Sequence, residues 1–197
     1  MTVKVAHDYN CGWCWIGILQ IERLQAEFGV EFELIPYELY PLEMEWPDAP
    51  PRPEPPANRP PTLSRFQLAC YASGMAPPVQ KGPPKLRTHN CHLATEFAKQ
   101  EGVHLEYARR LYDAYWVEGT DISQVEELCR LAKGLVSNIA GLRESVNQEV
   151  FADRITEFNT PAYESGVYNV PTFFIGGQRY AEQPYAVLAA ALQRELG

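Results

Sequence analysis

Val3-Lys4-Val5-Ala6-His7-Asp8-Tyr9-Asn10-Cys11-Gly12-Trp13-Cys14-Trp15-Ile16-Gly17 is the stretch on which the fold turns. Residues 3–9 are short and partly alternating, which is the period of a strand. Asn10-Cys11-Gly12 then breaks the pattern. Over residues 13–28 apolar side chains recur at helical spacing: Ile18, Ile21, Leu24 and Phe28 share one side, with Glu22 and Arg23 on the other. Gly29 is a helix stop, since a residue without Cβ enters the left-handed region freely. Residues 30–35 alternate again and read as a second strand. This is a β–α–β unit, whose crossover is right-handed in nearly all cases. Two cysteines, two residues apart, fall on its first strand-to-helix turn.

That position shapes their chemistry. The first turn of a helix leaves backbone amides without partners and carries partial positive charge, so it favours an anion. A thiolate at Cys11 is therefore expected, with a pKa below that of a free thiol. The two-residue gap lets Cys14 turn back towards Cys11 and close a small disulfide ring. Cys11 is then the exposed attacker and Cys14 the resolving thiol. Half a zinc site has the same spacing, but no second C-x-x-C or H-x-x-x-H half is present. Cys91-His92 is a poor substitute, because adjacent residues on one helix point apart. Redox work is the expected use, and no metal.

Beyond the opening unit the pattern changes. Residues 41–61 hold nine prolines, which excludes a helix interior or central strand and implies a semi-extended surface loop. A short helix follows at about residues 63–72, then a second irregular patch from Ala76-Pro77-Pro78 to Pro83-Pro84. From Cys91 to about Phe158 the chain reads as helical throughout, with two helices around Gly102. Asp121-Ile122-Ser123-Gln124 has the spacing of a capping box before Val125, Leu128, Leu131 and Ala132. Gly134 ends that helix and another begins near Asn138 or Gly141. Thr160-Pro161 reads as a new cap with proline at the first helical position, and Gly166 as its stop. Residues 171–175 read as a strand, Gly176-Gly177 as a hairpin turn, 178–180 as its partner, and Pro184 as the opening of a last helix. The predicted order is β–α–β, a long all-helical insert, then β–β–α.

Composition narrows the partners. The 197 residues are 46% hydrophobic and 21% charged, enough apolar material for a packed core. The 17 Lys+Arg against 25 Asp+Glu give a net charge of -8, which argues against nucleic acid, and no basic run offers a membrane anchor. Residues 1–8 lack the apolar core of a secretory signal, and no run approaches a bilayer span, so a cytoplasmic setting is expected. Tyrosine and tryptophan are abundant enough for an interface or a core, so composition points to no particular oligomeric state.

Gly166-Val167-Tyr168-Asn169-Val170-Pro171-Thr172-Phe173 carries the last motif. A proline opening a strand is ordinary by itself. Beside a C-x-x-C on the first β–α turn and a closing β–β–α, it gains meaning. The combination resembles the DsbA-like branch of the thioredoxin-fold superfamily, and within it the FrnE-like group. The matching pieces are Asp8…Cys11-Gly12-Trp13-Cys14-Trp15-Ile16-Gly17, then Ala114-Tyr115-Trp116-Val117-Glu118-Gly119 with Asp121-Ile122, then Gly166-Val167…Val170-Pro171-Thr172-Phe173. They span nearly the whole chain. The resemblance implies a thioredoxin-like α/β domain built from residues 1–61 and 160–197, with residues 62–159 as a helical insertion domain. It implies a cis Pro171 facing the cysteines and thiol–disulfide oxidoreductase activity, with Cys11 as nucleophile and Cys14 as resolver. Gly12, Trp13, Trp15, Val170, Pro171 and Thr172 are the expected substrate-binding residues. The substrates implied are polypeptide or small-molecule thiols and disulfides. No cofactor is expected beyond the redox-active pair, with glutathione admitted as a co-substrate.

Two departures stand out. The group usually has proline after the first cysteine, where this chain has Gly12, and more often tyrosine where it has Trp15. Trp15 can extend an apolar rim with Trp13 or pack against the helical lobe. Glutathione-dependent isomerases and kappa-class glutathione transferases resemble the chain too, but carry serine where Cys11 stands, and a hydroxyl cannot exchange a disulfide. Such an isomerase or transferase is the nearest rival reading. A non-enzymatic polypeptide binder using the proline-rich stretch is the other. Cys70, Cys91 and Cys129 read as small hydrophobes on helices. His7 reads as a ring satisfied by backbone groups, His89 and His92 as loop and helix surface, and Asp8 as a structural acceptor for amides near the active turn.

Overall fold

The computed structural model describes residues 1–46, 62–78 and 82–197. The proline-rich expectation for residues 47–61 therefore lies outside the described residues. Strand β1 (Thr2–His7) leads into helix α1 (Gly12–Phe28), which ends at Gly29 with φ 64°, and strand β2 (Glu31–Glu38) follows. Next come α2 (Arg65–Ala72), α3 (His89–Gln100), α4 (His104–Trp116), α5 (Val125–Ala132) and α6 (Ile139–Asn147). A 3-10 turn at Ala152–Arg154 leads to the two-residue strand β3 (Thr156–Glu157) and the short helix α7 (Ala162–Ser165). Strands β4 (Thr172–Ile175) and β5 (Gln178–Ala181) and helix α8 (Tyr185–Leu196) close the chain.

The sheet order is β3-β2-β1-β4-β5. β1 runs parallel to β2, with Val5 opposite Leu34, and antiparallel to β4, with Val5 opposite Phe173. These three side chains are fully buried and form the central row of the core. Antiparallel pairing with Ala6 opposite Thr172 brings the start of β4 to the end of β1. That is where α1 begins, so topology alone carries the Val-Pro turn to the cysteine turn. α1 packs between the sheet, α4, α2 and α8. One hydrophobic cluster runs from the sheet through α1 into α3, α4, α5 and α6.

Three local expectations are corrected. The stretch up to Phe158 is not helical throughout: β3 joins the sheet beside Tyr37 and Glu38. A two-residue strand is too short to show any alternation. Asp121 caps no helix. Its carboxylate accepts from the Ser123 amide at 3.1 Å and the Ser123 hydroxyl at 2.6 Å, closing a local turn, and α5 starts later at Val125 behind an uncapped Gln124. Pro161 stands at the cap of α7 and not at its first helical position. The true capping box belongs to α2, where the Ser64 hydroxyl accepts from the Gln67 amide and the Gln67 side chain accepts from the Ser64 amide. At α6, the Asn138 side chain accepts from the Gly141 amide at 2.9 Å.

Candidate active site

Cys11 caps α1 in extended backbone (φ -89°, ψ 111°). Its amide donates to the Asp8 carbonyl at 3.1 Å, and its own carbonyl accepts from the Cys14 and Trp15 amides at 3.0 and 3.2 Å. No side chain caps the helix and its first turn holds no acid, so α1 itself brings nothing that offsets the positive end of its dipole. The Val170–Pro171 peptide is cis. The Cys11 thiol donates to the Val170 carbonyl at 3.3 Å. Gly17 makes this approach feasible: a Cβ there would stand 3.3 Å from Pro171 Cγ, so a larger residue would push the proline away from the helix.

The two sulfurs differ in access. Cys11 is half-buried, whereas Cys14 is 2% exposed. Both are free thiols. Burial pushes the Cys14 thiol well above its ordinary pKa, and its hydrogen bond with Cys11 pushes the same way. Cys14 therefore keeps its proton and can give a hydrogen bond to the sulfur in front of it. Behind it lies a cavity of about 10 Å³, also lined by His7, Tyr112 and Pro171. That is close to the least space one water needs.

Beneath the cysteine turn is a buried polar network that the sequence reading largely missed. Asp8 is fully buried. Its carboxylate accepts from the Leu39 amide at 2.8 Å and the Asn10 amide at 3.4 Å, and lies 3.4 Å from His92 Nε2. The Tyr112 hydroxyl donates to the Asp8 carbonyl at 3.0 Å and lies 2.9 Å from His7 Nδ1. The tyrosine has one proton and spends it on the carbonyl, so His7 Nδ1 carries the proton of the second bond. Burial, with His92 next, holds the His7 pKa well below its ordinary value. Tyr9 and Trp116 continue the network: the Trp116 indole donates to the Tyr9 carbonyl at 3.0 Å.

Several placements revise the sequence reading. His92 is no surface residue: it is fully buried, because α3 is enclosed by α4, α5 and α6. His89 is mostly covered and bonds the buried Glu38 carboxylate at 3.1 Å. His7 meets a tyrosine hydroxyl and not backbone. Asp8 does serve amides at the turn. The small residues Ala94, Thr95 and Ala98, all buried, were the available signal that α3 has no solvent face around His92.

The expected substrate-binding residues divide. Trp13 is half-buried at the mouth of the site, with Phe66 edge-on at 5.7 Å. Trp15 does not join it. It is 3% exposed, lies parallel to Trp116 at 6.0 Å, and its indole donates to Asp113 at 3.2 Å. Val170 and Thr172 are buried, and the Thr172 hydroxyl donates to the Asn169 carbonyl, so this turn offers backbone more than side chains. Gly12 has a structural reason. A Cβ there would lie 2.8 Å from two ring atoms of Phe66 and 3.2 Å from Trp116, so α2 occupies the space next to the dipeptide between the cysteines. Trp13, Ile16 and Pro171 line a groove of about 230 Å³ completed by α2 and by residues 182–185. Cys70, Cys91 and Cys129 are all buried.

Known proteins are similar to this chain in sequence or in fold. The family model described as DSBA-like thioredoxin domain matches residues 2–193. The protein YwbO of Bacillus subtilis (strain 168) is 28% identical over 179 residues, covering 88% of this chain and 86% of that protein. Among solved structures, a probable DsbA oxidoreductase, SCO1869 from Streptomyces coelicolor, is similar with a TM-score of 0.73 at 21% identity, covering 100% of this chain and 90% of the other. The cytosolic disulfide reductase DsbM from Pseudomonas aeruginosa, solved with GSH, is similar with a TM-score of 0.64 at 20% identity, covering 100% and 99%.

Proposed function

The chain belongs to the family of DSBA-like thioredoxin domains, and from that membership we propose that it is a thiol–disulfide oxidoreductase of the FrnE-like group working through Cys11 and Cys14. One observation carries the reading: a half-exposed Cys11 sulfur faces the carbonyl before cis Pro171, with a covered, protonated Cys14 directly behind it. The Cys11 thiolate attacks a substrate disulfide. A mixed disulfide forms and one substrate thiolate leaves. Cys14 then gives up its proton and attacks Cys11 Sγ, the second substrate thiolate leaves, and the Cys11–Cys14 disulfide remains. Two electrons pass from the pair to the substrate. The reverse sequence oxidises a dithiol.

Retention of sulfur at Cys11 supports exchange over the hydrogen-bonding role that a serine would have. Glutathione is a reasonable co-substrate by the likeness to DsbM solved with GSH. Polypeptide and small-molecule disulfides are both within the reading. The same likeness to a cytosolic reductase, with a low cysteine content, supports a cytoplasmic setting. No helix among the described residues is long and apolar enough to cross a membrane. The test is turnover of insulin and of small disulfides. Cys11→Ser is expected to abolish it, and Cys14→Ser to accumulate a mixed disulfide seen as an added mass. Wild-type rates in Cys11→Ser would end the proposal.

A further inference from the structure

The groove beside the redox pair is small. Its volume of about 230 Å³ falls below the ~300–1,000 Å³ of drug-sized sites, so it suits a compact ligand. Its floor is apolar, formed by Trp13, Ile16 and Pro171, and its charged groups are Arg65 and Glu182. The Arg65 guanidinium sits 5.0 Å from the centre of the Trp13 ring, which steadies it at the mouth of the site. The guanidinium carries a fork of N–H donors suited to a planar acceptor.

Arg65 is exposed, and among the described residues no carboxylate lies in ion-pair range of it. Arg109, Arg110, Arg130, Arg143 and Arg154 each hold a carboxylate of this chain. In a protein of net charge -8, an available cation over the ring of Trp13, between the two cysteines in sequence, is a selective feature. Small anions are repelled by the molecule as a whole and drawn to this point.

We propose that Arg65 makes the groove selective for small disulfides and thiols that carry a carboxylate close to the reacting sulfur. The inference rests on the oxidoreductase reading above. Once the substrate sulfur lies against Cys11 and the Pro171 turn, a nearby carboxylate meets the Arg65 edge in a two-point contact. Glu182 has the opposite sign and turns the carboxylate away from its own wall.

The experiment compares three disulfides of similar size: dithiodiglycolate (anionic), hydroxyethyl disulfide (neutral) and cystamine (cationic). The readout is kcat/KM for the anionic substrate divided by that for the neutral one. Arg65→Gln is expected to lower this ratio about fivefold, the scale of an exposed charge contact. Arg65→Lys keeps most of the ratio. Added salt lowers it in the wild type and hardly moves it in Arg65→Gln. The cystamine ratio moves the other way. An anionic-to-neutral ratio unchanged in Arg65→Gln would overturn the inference while leaving the oxidoreductase reading in place. Turnover of insulin but of none of the three by the wild type would overturn the inference alone, and turnover of neither insulin nor any of the three would overturn the reading with it.

Discussion

Position 12 shows how a single residue records its surroundings. The backbone at Cys11 is already extended, as a following proline requires, and proline is well suited to the first position of a helix. The obstacle is Phe66, whose ring crowds the place that the Cβ of a proline would take. Gly12→Pro is therefore expected to cost about 1–3 kcal/mol through overpacking. Combined with Phe66→Ala it should cost less than the sum of the single changes, with a coupling of at least ~0.5 kcal/mol in a denaturant double-mutant cycle. Strict additivity would show that Phe66 is not the reason for the glycine. Tyr112→Phe makes a second test. It leaves the His7 Nδ1 proton and one partner of the Asp8 carbonyl unmet in a closed interior. A loss of about 1–3 kcal/mol is expected, seen as a Tm lower by roughly 2–4 °C per kcal/mol. That Cys11, Cys14 and Pro171 lie together was legible because it follows from local spacing and chain order. Phe66 and Tyr112 were not, since each acts on the cysteine turn from a distant part of the chain.

At the level of elements, reading succeeded where one face of a segment meets water. α1, α4 and α8 show their stripes, and the glycines at 29, 134 and 166 stop helices as expected. It failed where an element is enclosed or too short. α3 is buried around His92, and β3 has two residues. The link between α3 and β2 gives a pH test. Hydrogen bonding to Glu38 is the chief reason that the His89 pKa is raised, with Glu149 and Glu157 adding to it. A group whose pKa rises on folding stabilises fully below its unfolded value of about 6.5, and that contribution fades as pH rises through the folded value. The Tm difference between wild type and His89→Gln should therefore be largest in mild acid and shrink towards pH 8. A difference that grows with pH would refute the assignment.

For the whole molecule, the hydrophobic core is the deciding feature. The buried cluster passes from Val5, Leu34 and Phe173 in the sheet to Leu93, Leu111, Leu128 and Leu142 in the helices without a break. The helical segment and the sheet should then lose structure together. Far-ultraviolet dichroism and tryptophan fluorescence are expected to report one coincident thermal transition. Two separated transitions would mean that the helices form an independent unit. The sequence outlined both parts, but it could not show their shared interior, because that depends on which helical faces point inward.

The unequal covering of the sulfurs also sets a count that a mass spectrometer can read. A brief pulse of iodoacetamide on the reduced native protein should add a single carbamidomethyl group, at Cys11. The same pulse in denaturant should add five, one for every cysteine in the chain.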